Sequence, residues 1–144
     1  MGKPQVTSFR ISSRLDGMAH AVAQVEAAAA RTRLGKSEIA DVAICASELI
    51  NNAIVHGNHL DPAREVKVDI EVTDTAIRVT VSDEGSGFDP VAVPDPIAKE
   101  NLERESGRGI FICQHLMDEV IIDRTEAGGT RCCLLKRISP ASSS

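Results

Sequence analysis

Glu48, Asn52, Asp83 and two Gly-x-Gly pairs are the residues of this 144-residue chain whose types and spacing suit chemistry. Glu48 and Asn52 fall in Ser47-Glu48-Leu49-Ile50-Asn51-Asn52-Ala53-Ile54-Val55-His56-Gly57, which reads as the end of a helix. Two adjacent asparagines cost a helix about 0.5 kcal/mol each relative to alanine, so their presence asks for a reason. Glu48 and Asn52 stand one turn apart on one side, opposite the apolar stripe Ile39, Val42, Ala46, Leu49 and Ala53. Asn52 then faces a cleft or solvent, and a solvated helix face is the alternative. Asp83 follows the parity of Ile77, Val79 and Val81, so its carboxylate leaves a strand on the apolar side. Unpaired burial there costs several kcal/mol, and a ligand amino group is one donor that would satisfy it; an ordinary Asp-Glu-Gly turn is the alternative. Gly85 and Gly87 let the backbone approach a ligand closely. Gly107 and Gly109 are expected to precede a helix N-terminus, whose free N–H groups and positive dipole end attract phosphate; a flexible loop meeting a helix cap is the alternative.

The elements that must position these residues are legible from period. Val6 to Ile11 reads as a first strand. Ser13 is a candidate cap for a helix starting near Leu15, with Leu15, Met18, Val22, Val25 and Ala29 on its apolar side. Leu34-Gly35 breaks that run, and Ser37 is a second candidate cap for a helix from about Glu38 to His56, ended by Gly57. Val66, Val68, Ile70 and Val72 then alternate with Lys67, Asp69 and Glu71. After a turn at Thr73-Asp74-Thr75, Ile77, Val79 and Val81 alternate with Arg78 and Thr80, which predicts a β-hairpin. A helix is expected around Gly109 to Met117, then strands at about Glu119–Asp123 and Thr130–Lys136 joined by a Gly128-Gly129 turn. The order β-α-α-β-β-loop-α-β-β predicts an α+β two-layer sandwich, helices on one face of a mainly antiparallel sheet.

Composition narrows the class. Hydrophobic content of 42% and charged content of 26% are ordinary for a globular chain, and the length suits a single domain, 1–138, with a disordered tail at 139–144. A formal charge of −5 and the lack of a basic stripe argue against nucleic acid as a partner. Cys45, Cys113, Cys132 and Cys133 have no metal-ligand spacing, and reduced buried thiols in a cytoplasmic protein are expected. No apolar run is read as reaching membrane-spanning length, and the first residues show no hydrophobic signal core, so no membrane partner is expected. The opening Met-Gly-Lys-Pro-Gln-Val has Val6 where a myristoylation motif wants Ser or Thr. Gly35-Lys36-Ser37 imitates the end of a P-loop, but Ala30 replaces its first glycine, and it follows a helix. Neither Gly-x-Gly extends to a dinucleotide fingerprint.

Together, "ELINNAIVHG", "DEGSGF" and "GRGI" resemble the ordered nucleotide-binding boxes of the GHKL ATPase superfamily. The narrower resemblance, through "SELINNAIVHG", "VSDEGSGFDP", "LERESGRGIFICQHLMDEV" and the closing "GGT", is to the bacterial anti-sigma-factor serine kinases. It runs from about residue 8 to 137. It implies ATP and Mg²⁺ as cofactors, with Asn52 on the metal, Asp83 accepting from the adenine amino group, and Glu48 as general base. Gly85 and Gly87 would pass the base and ribose, Gly107 and Gly109 would cradle phosphates, and Thr130 would support the adenine end. Arg104 and Arg108 would meet the γ-phosphate. Asn52 then makes sense, since a neutral amide oxygen ligates a hard cation without adding charge beside phosphates, and Glu48 sits where proton abstraction must occur.

The implied function is an anti-sigma factor and protein serine kinase. Its acceptor would be a serine of a STAS-type anti-anti-sigma protein, its other partner a sigma factor, and its state a homodimer. An ATP-responsive binding module without phosphotransfer is the alternative. A sensor histidine kinase is disfavoured, because His20 lacks the sequence context of a phosphoacceptor. The stretch Phe88 to Ser106 is expected to serve as an active-site lid.

Overall fold

Alternation of apolar and polar residues builds a sheet whose two faces differ. The computed structural model describes residues 3–85 and 105–139, excepting the side chains of 105–108. Its strands are β1 (Gln5–Ser12), β2 (Glu65–Val72), β3 (Ala76–Ser82), β4 (Glu119–Arg124) and β5 (Thr130–Arg137). All pairs are antiparallel, in the spatial order β1-β2-β3-β5-β4. The hairpin register sets Val68 opposite Val81, Ile70 opposite Val79 and Val72 opposite Ile77. One face therefore buries Val66, Val68, Ile70, Ile77, Val79, Val81, Cys132 and Leu134.

Helices cover that face: α1 (Met18–Ala30), α2 (Lys36–Asn52) and α3 (Glu105–Leu116). The core lies between the layers, with Val25 of α1, and Val42, Leu49 and Ile50 of α2, fully buried against the sheet residues. This is the expected α+β two-layer sandwich. At about 25 cal/mol per Å² of apolar surface, each such side chain contributes roughly 1.5–3 kcal/mol. With its π-helical extension, Ala53–Gly57, α2 spans 22 residues and holds an 18-residue stretch of mean hydropathy 1.2. It is thus long and apolar enough to cross a membrane, which corrects the expectation that no run reaches that length. Here its apolar side forms the middle of the core.

Several local expectations are revised. Ser13 does not cap a helix: it is fully buried, and its hydroxyl donates to the Arg64 carbonyl at 2.8 Å. A short 3-10 turn, Leu15–Gly17, intervenes before α1, and Leu15 is half exposed rather than on the buried stripe. Ser37 lies inside α2. The cap position is Gly35, whose N–H donates to Glu38 Oε1 at 3.2 Å, so the glutamate closes the helix end from its first turn. The third helix begins at Glu105, earlier than expected, and takes Gly107 and Gly109 into its first turns instead of following them. Gly87, Arg104, nearly all of the expected lid and the tail from residue 140 lie outside the described residues.

Candidate functional site

Helix α2 and strand β3 deliver their polar residues to one narrow cleft, with a cavity volume of about 20 Å³. Asn52, His56, Asp83 and Thr130 supply its polar groups, and Leu49, Ala53, Val81, Ile110 and Cys132 its apolar wall. A mostly apolar slot with a few fixed polar groups is the usual form of a small-molecule site. The parity argument for Asp83 holds: it continues β3 onto the helical side and is 6% exposed.

Asp83 is fastened through its backbone and its side chain. Its N–H donates to the Thr130 carbonyl at 2.9 Å. Its Oδ1 accepts from the N–H groups of Thr130 and Gly85, each at 3.0 Å. The chain itself therefore supplies two donors to the carboxylate. Both bonds fall on Oδ1, and Oδ2 lies against the Cα of Gly57. Burial pushes the Asp83 carboxyl up from the ordinary carboxylate range, opposed by the Thr130 and Gly85 hydrogen bonds and by the charges of His59 and Arg64.

Three glycines make room for this arrangement. A methyl group at Gly57 would overlap the Asp83 carboxylate, one at Gly85 the carbonyl of Gly57, and one at Gly129 the carbonyl of Asp83. The π-helical turn Ala53–Gly57 brings Gly57 to this position; such widened turns often occur at functional sites. Asn58 then locks the corner. Fully buried, it donates from Nδ2 to Ser13 Oγ at 2.8 Å and to the Glu65 carbonyl at 3.0 Å. Its Oδ1 accepts from the Glu84 N–H at 2.9 Å, so the end of α2, the start of β2 and the Asp83 turn are joined by one side chain.

Glu48 lies one turn before Asn52 and is half-buried. It packs on α3, where a methyl group at Gly109 would overlap Glu48 Oε2, so the carboxylate fills the space a side chain would take. The structure therefore brings Asn52, Asp83 and Thr130 to the cleft, with Gly85 behind Asp83, and sets Glu48 beside Gly109. Gly107 is in the first turn of α3, and the Arg108 side chain lies outside the described residues.

Sequence reasoning did not select His56, Gly57, Asn58, Cys132 or Gly129 as site residues. His56 follows Asn52 by one helical turn, a spacing that would have flagged it. Cys132 follows Thr130 on the same face of β5. Its thiol is pushed up to about 12, chiefly by burial, so it remains neutral and serves as apolar wall.

Comparison with known proteins places the chain among relatives of similar sequence and fold. The model of the family described as histidine kinase-like ATPase domain matches residues 11–136. The anti-sigma F factor of Geobacillus kaustophilus is 32% identical over 134 residues, covering 91% of each chain. That of Clostridium novyi is 34% identical over 104 residues, covering 70% of this chain and 72% of the other. Among solved structures, one containing RsbU and RsbW domains from Mycobacterium tuberculosis superposes with a TM-score of 0.66 at 21% identity. That alignment covers 92% of this chain and 32% of the longer one, and it shows the shared fold. With a family match that spans both layers and every element around the cleft, the chain belongs to the histidine kinase-like ATPase domain family.

Proposed function

We propose that this chain is an anti-sigma factor and ATP-dependent protein serine kinase that phosphorylates a serine of a STAS-type anti-anti-sigma protein, in a switch that controls a sigma factor. The observation carrying the nucleotide site is the buried Asp83, clamped on Oδ1 with Oδ2 held at Gly57 beside an apolar slot. A carboxylate so fixed suits an exocyclic amino group, and the apolar wall suits the ring that bears it. The similarity to anti-sigma F factors over 91% of the chain supports the regulatory role. Four free cysteines suit the reducing cytoplasm in which this switch would act.

The residues fit magnesium in a limited sense. Among the described residues no group of three or more His, Cys, Asp or Glu side chains gathers to hold a metal. Asn52 is the protein ligand we assign, with phosphates and water completing the shell, as magnesium commonly prefers. When bound, magnesium would neutralise phosphate charge during transfer.

The chain's own residues do the rest. Asp83 and Thr130 orient the base, and Gly85, Gly107 and Gly109 keep backbone close to the nucleotide, with Gly87, Arg104 and Arg108 assigned to the same nucleotide from the resemblance. Glu48 accepts the proton of the acceptor serine hydroxyl. The serine Oγ forms a bond to the γ-phosphorus, the bond from that phosphorus to the bridging oxygen breaks, and ADP leaves.

The test is incubation with Mg-ATP and the STAS-type protein encoded nearest to this chain. Phosphoserine should form with wild type. With Glu48→Gln it should fall at least 100-fold while Mg-ATP affinity stays within threefold. Equal transfer by the variant would remove Glu48 as base. Nucleotide binding without any phosphoserine would leave an ATP-responsive binding module.

A further inference from the structure

Two large apolar side chains are left in water beside Glu48. Ile44 of α2 is 50% exposed and Ile112 of α3 is 47% exposed. Two contacts set the register of these helices. Cys113 Sγ approaches the Cys45 carbonyl at 3.9 Å, and Gly109 packs on Glu48. Advancing along α2 from residue 45 to 48 therefore retreats along α3 from 113 to 109, so the pair runs antiparallel.

At about 100° per residue, the position before each member of the Cys45–Cys113 contact turns to the same side of the pair. That side is opposite Val42, Ala46 and Leu49, which are buried toward the sheet. Ile44, Ile112 and Glu48 thus share that side of the pair, with the buried Gly109 packed beneath Glu48. With about 1.5 Å of rise per residue, the isoleucines stand level to within ~3 Å along the axes, and Glu48 follows about one turn from Ile44.

We infer that Ile44 and Ile112 form the apolar docking point for the phosphoacceptor protein, and that the partner covers them with apolar side chains flanking its serine. The inference rests on the kinase reading above. A hydroxyl must come within about 3 Å of Glu48 to lose its proton to it. A folded partner that brings a serine so close buries roughly 800 Å² of this surface, a patch that reaches well beyond one helical turn. A footprint centred on Glu48 takes in both isoleucines, and apolar anchors at the centre of a desolvated patch supply much of the binding energy. Neither isoleucine lines the cleft.

The experiment compares wild type, Ile44→Glu/Ile112→Glu and the milder Ile44→Ser/Ile112→Ser, with Mg-ATP and the same STAS-type protein. Both double variants should raise the acceptor KM at least tenfold with kcat within threefold. Mg-ATP affinity and the mass in light scattering should match wild type. Unchanged acceptor KM in both variants overturns the docking site while leaving the kinase reading intact. A changed mass assigns the patch to a second copy of this chain, and loss of Mg-ATP binding by both variants assigns the isoleucines to the fold; either result overturns the proposal. No transfer by wild type removes the kinase reading and this inference with it.

Discussion

Asp83 and Thr130 hold each other twice, the Asp83 N–H donating to the Thr130 carbonyl at 2.9 Å and the Thr130 N–H returning to Asp83 Oδ1 at 3.0 Å. The side chain proposed to read a ligand is therefore fixed by the end of the neighbouring strand before any ligand arrives. Preorganisation of this kind lowers the cost of ordering on binding.

Asp83→Asn keeps the acceptor oxygen that meets Gly85 and Thr130 but places an amide where Oδ2 lies. Mg-ATP affinity by calorimetry should fall at least 100-fold, or about 2.7 kcal/mol. Stability should move the other way. The folded-state pKa of Asp83 is raised above its unfolded value, so its ionised form opposes folding at neutral pH and the penalty lessens as pH falls through the folded pKa. The melting temperature of the variant should equal or exceed that of wild type at pH 7, and the gap should narrow as pH is lowered toward the ordinary carboxylate range.

Gly109→Ala separates helix stability from chemistry. Alanine favours a helix interior over glycine by up to about 1 kcal/mol, yet its methyl group would overlap Glu48 Oε2. Phosphotransfer should drop at least tenfold, by more than any loss of Mg-ATP affinity, with no loss of melting temperature. Steady-state kinetics and a thermal melt on one preparation decide it.

Gly57→Ala should damage the nucleotide site from behind. Its methyl group would meet the Asp83 carboxylate, and that clamped side chain has to shift to admit it. Overpacking of this kind costs about 1–3 kcal/mol. Denaturant titration should show that loss, together with at least tenfold weaker nucleotide binding.

Asn58→Leu should destabilise without touching the nucleotide directly. It removes three hydrogen bonds, to Ser13, Glu65 and Glu84, and strands partners that are buried or partly buried. At about 1 kcal/mol per bond the loss is about 3 kcal/mol. A saturating nucleotide should restore part of the melting temperature, because a ligand that binds only the folded state stabilises it.

The hairpin was legible because period-2 alternation from Val66 to Val81 has only one register that buries every apolar residue. Asp83 inherited its direction from that parity. Asn52 was legible as a residue out of place in a helix. The helix boundaries were less so. Ser13 and Ser37 look like caps by type, yet Asn58 and Arg64 use the first and Glu38 makes the second unnecessary. The early start of α3 at Glu105 was hidden by Gly107 and Gly109, whose low propensity suggests a loop. Cys132 stayed unmarked because nothing local separates a cleft-lining residue from a core one, whereas His56, one turn after Asn52, had a local signal.

What the sequence by itself determined was the two-layer fold, the inward carboxylate at Asp83 and the shared helix face of Glu48 and Asn52, since each follows from a period of two or of 3.6 residues. The tertiary structure alone decided which oxygen of Asp83 is clamped, why Gly57 and Gly129 must lack side chains, and that Glu48 rests on Gly109 with Ile44 and Ile112 exposed beside it. Those facts depend on contacts between residues far apart in the chain, whose meeting is set by packing of whole elements and leaves no local trace in any of them.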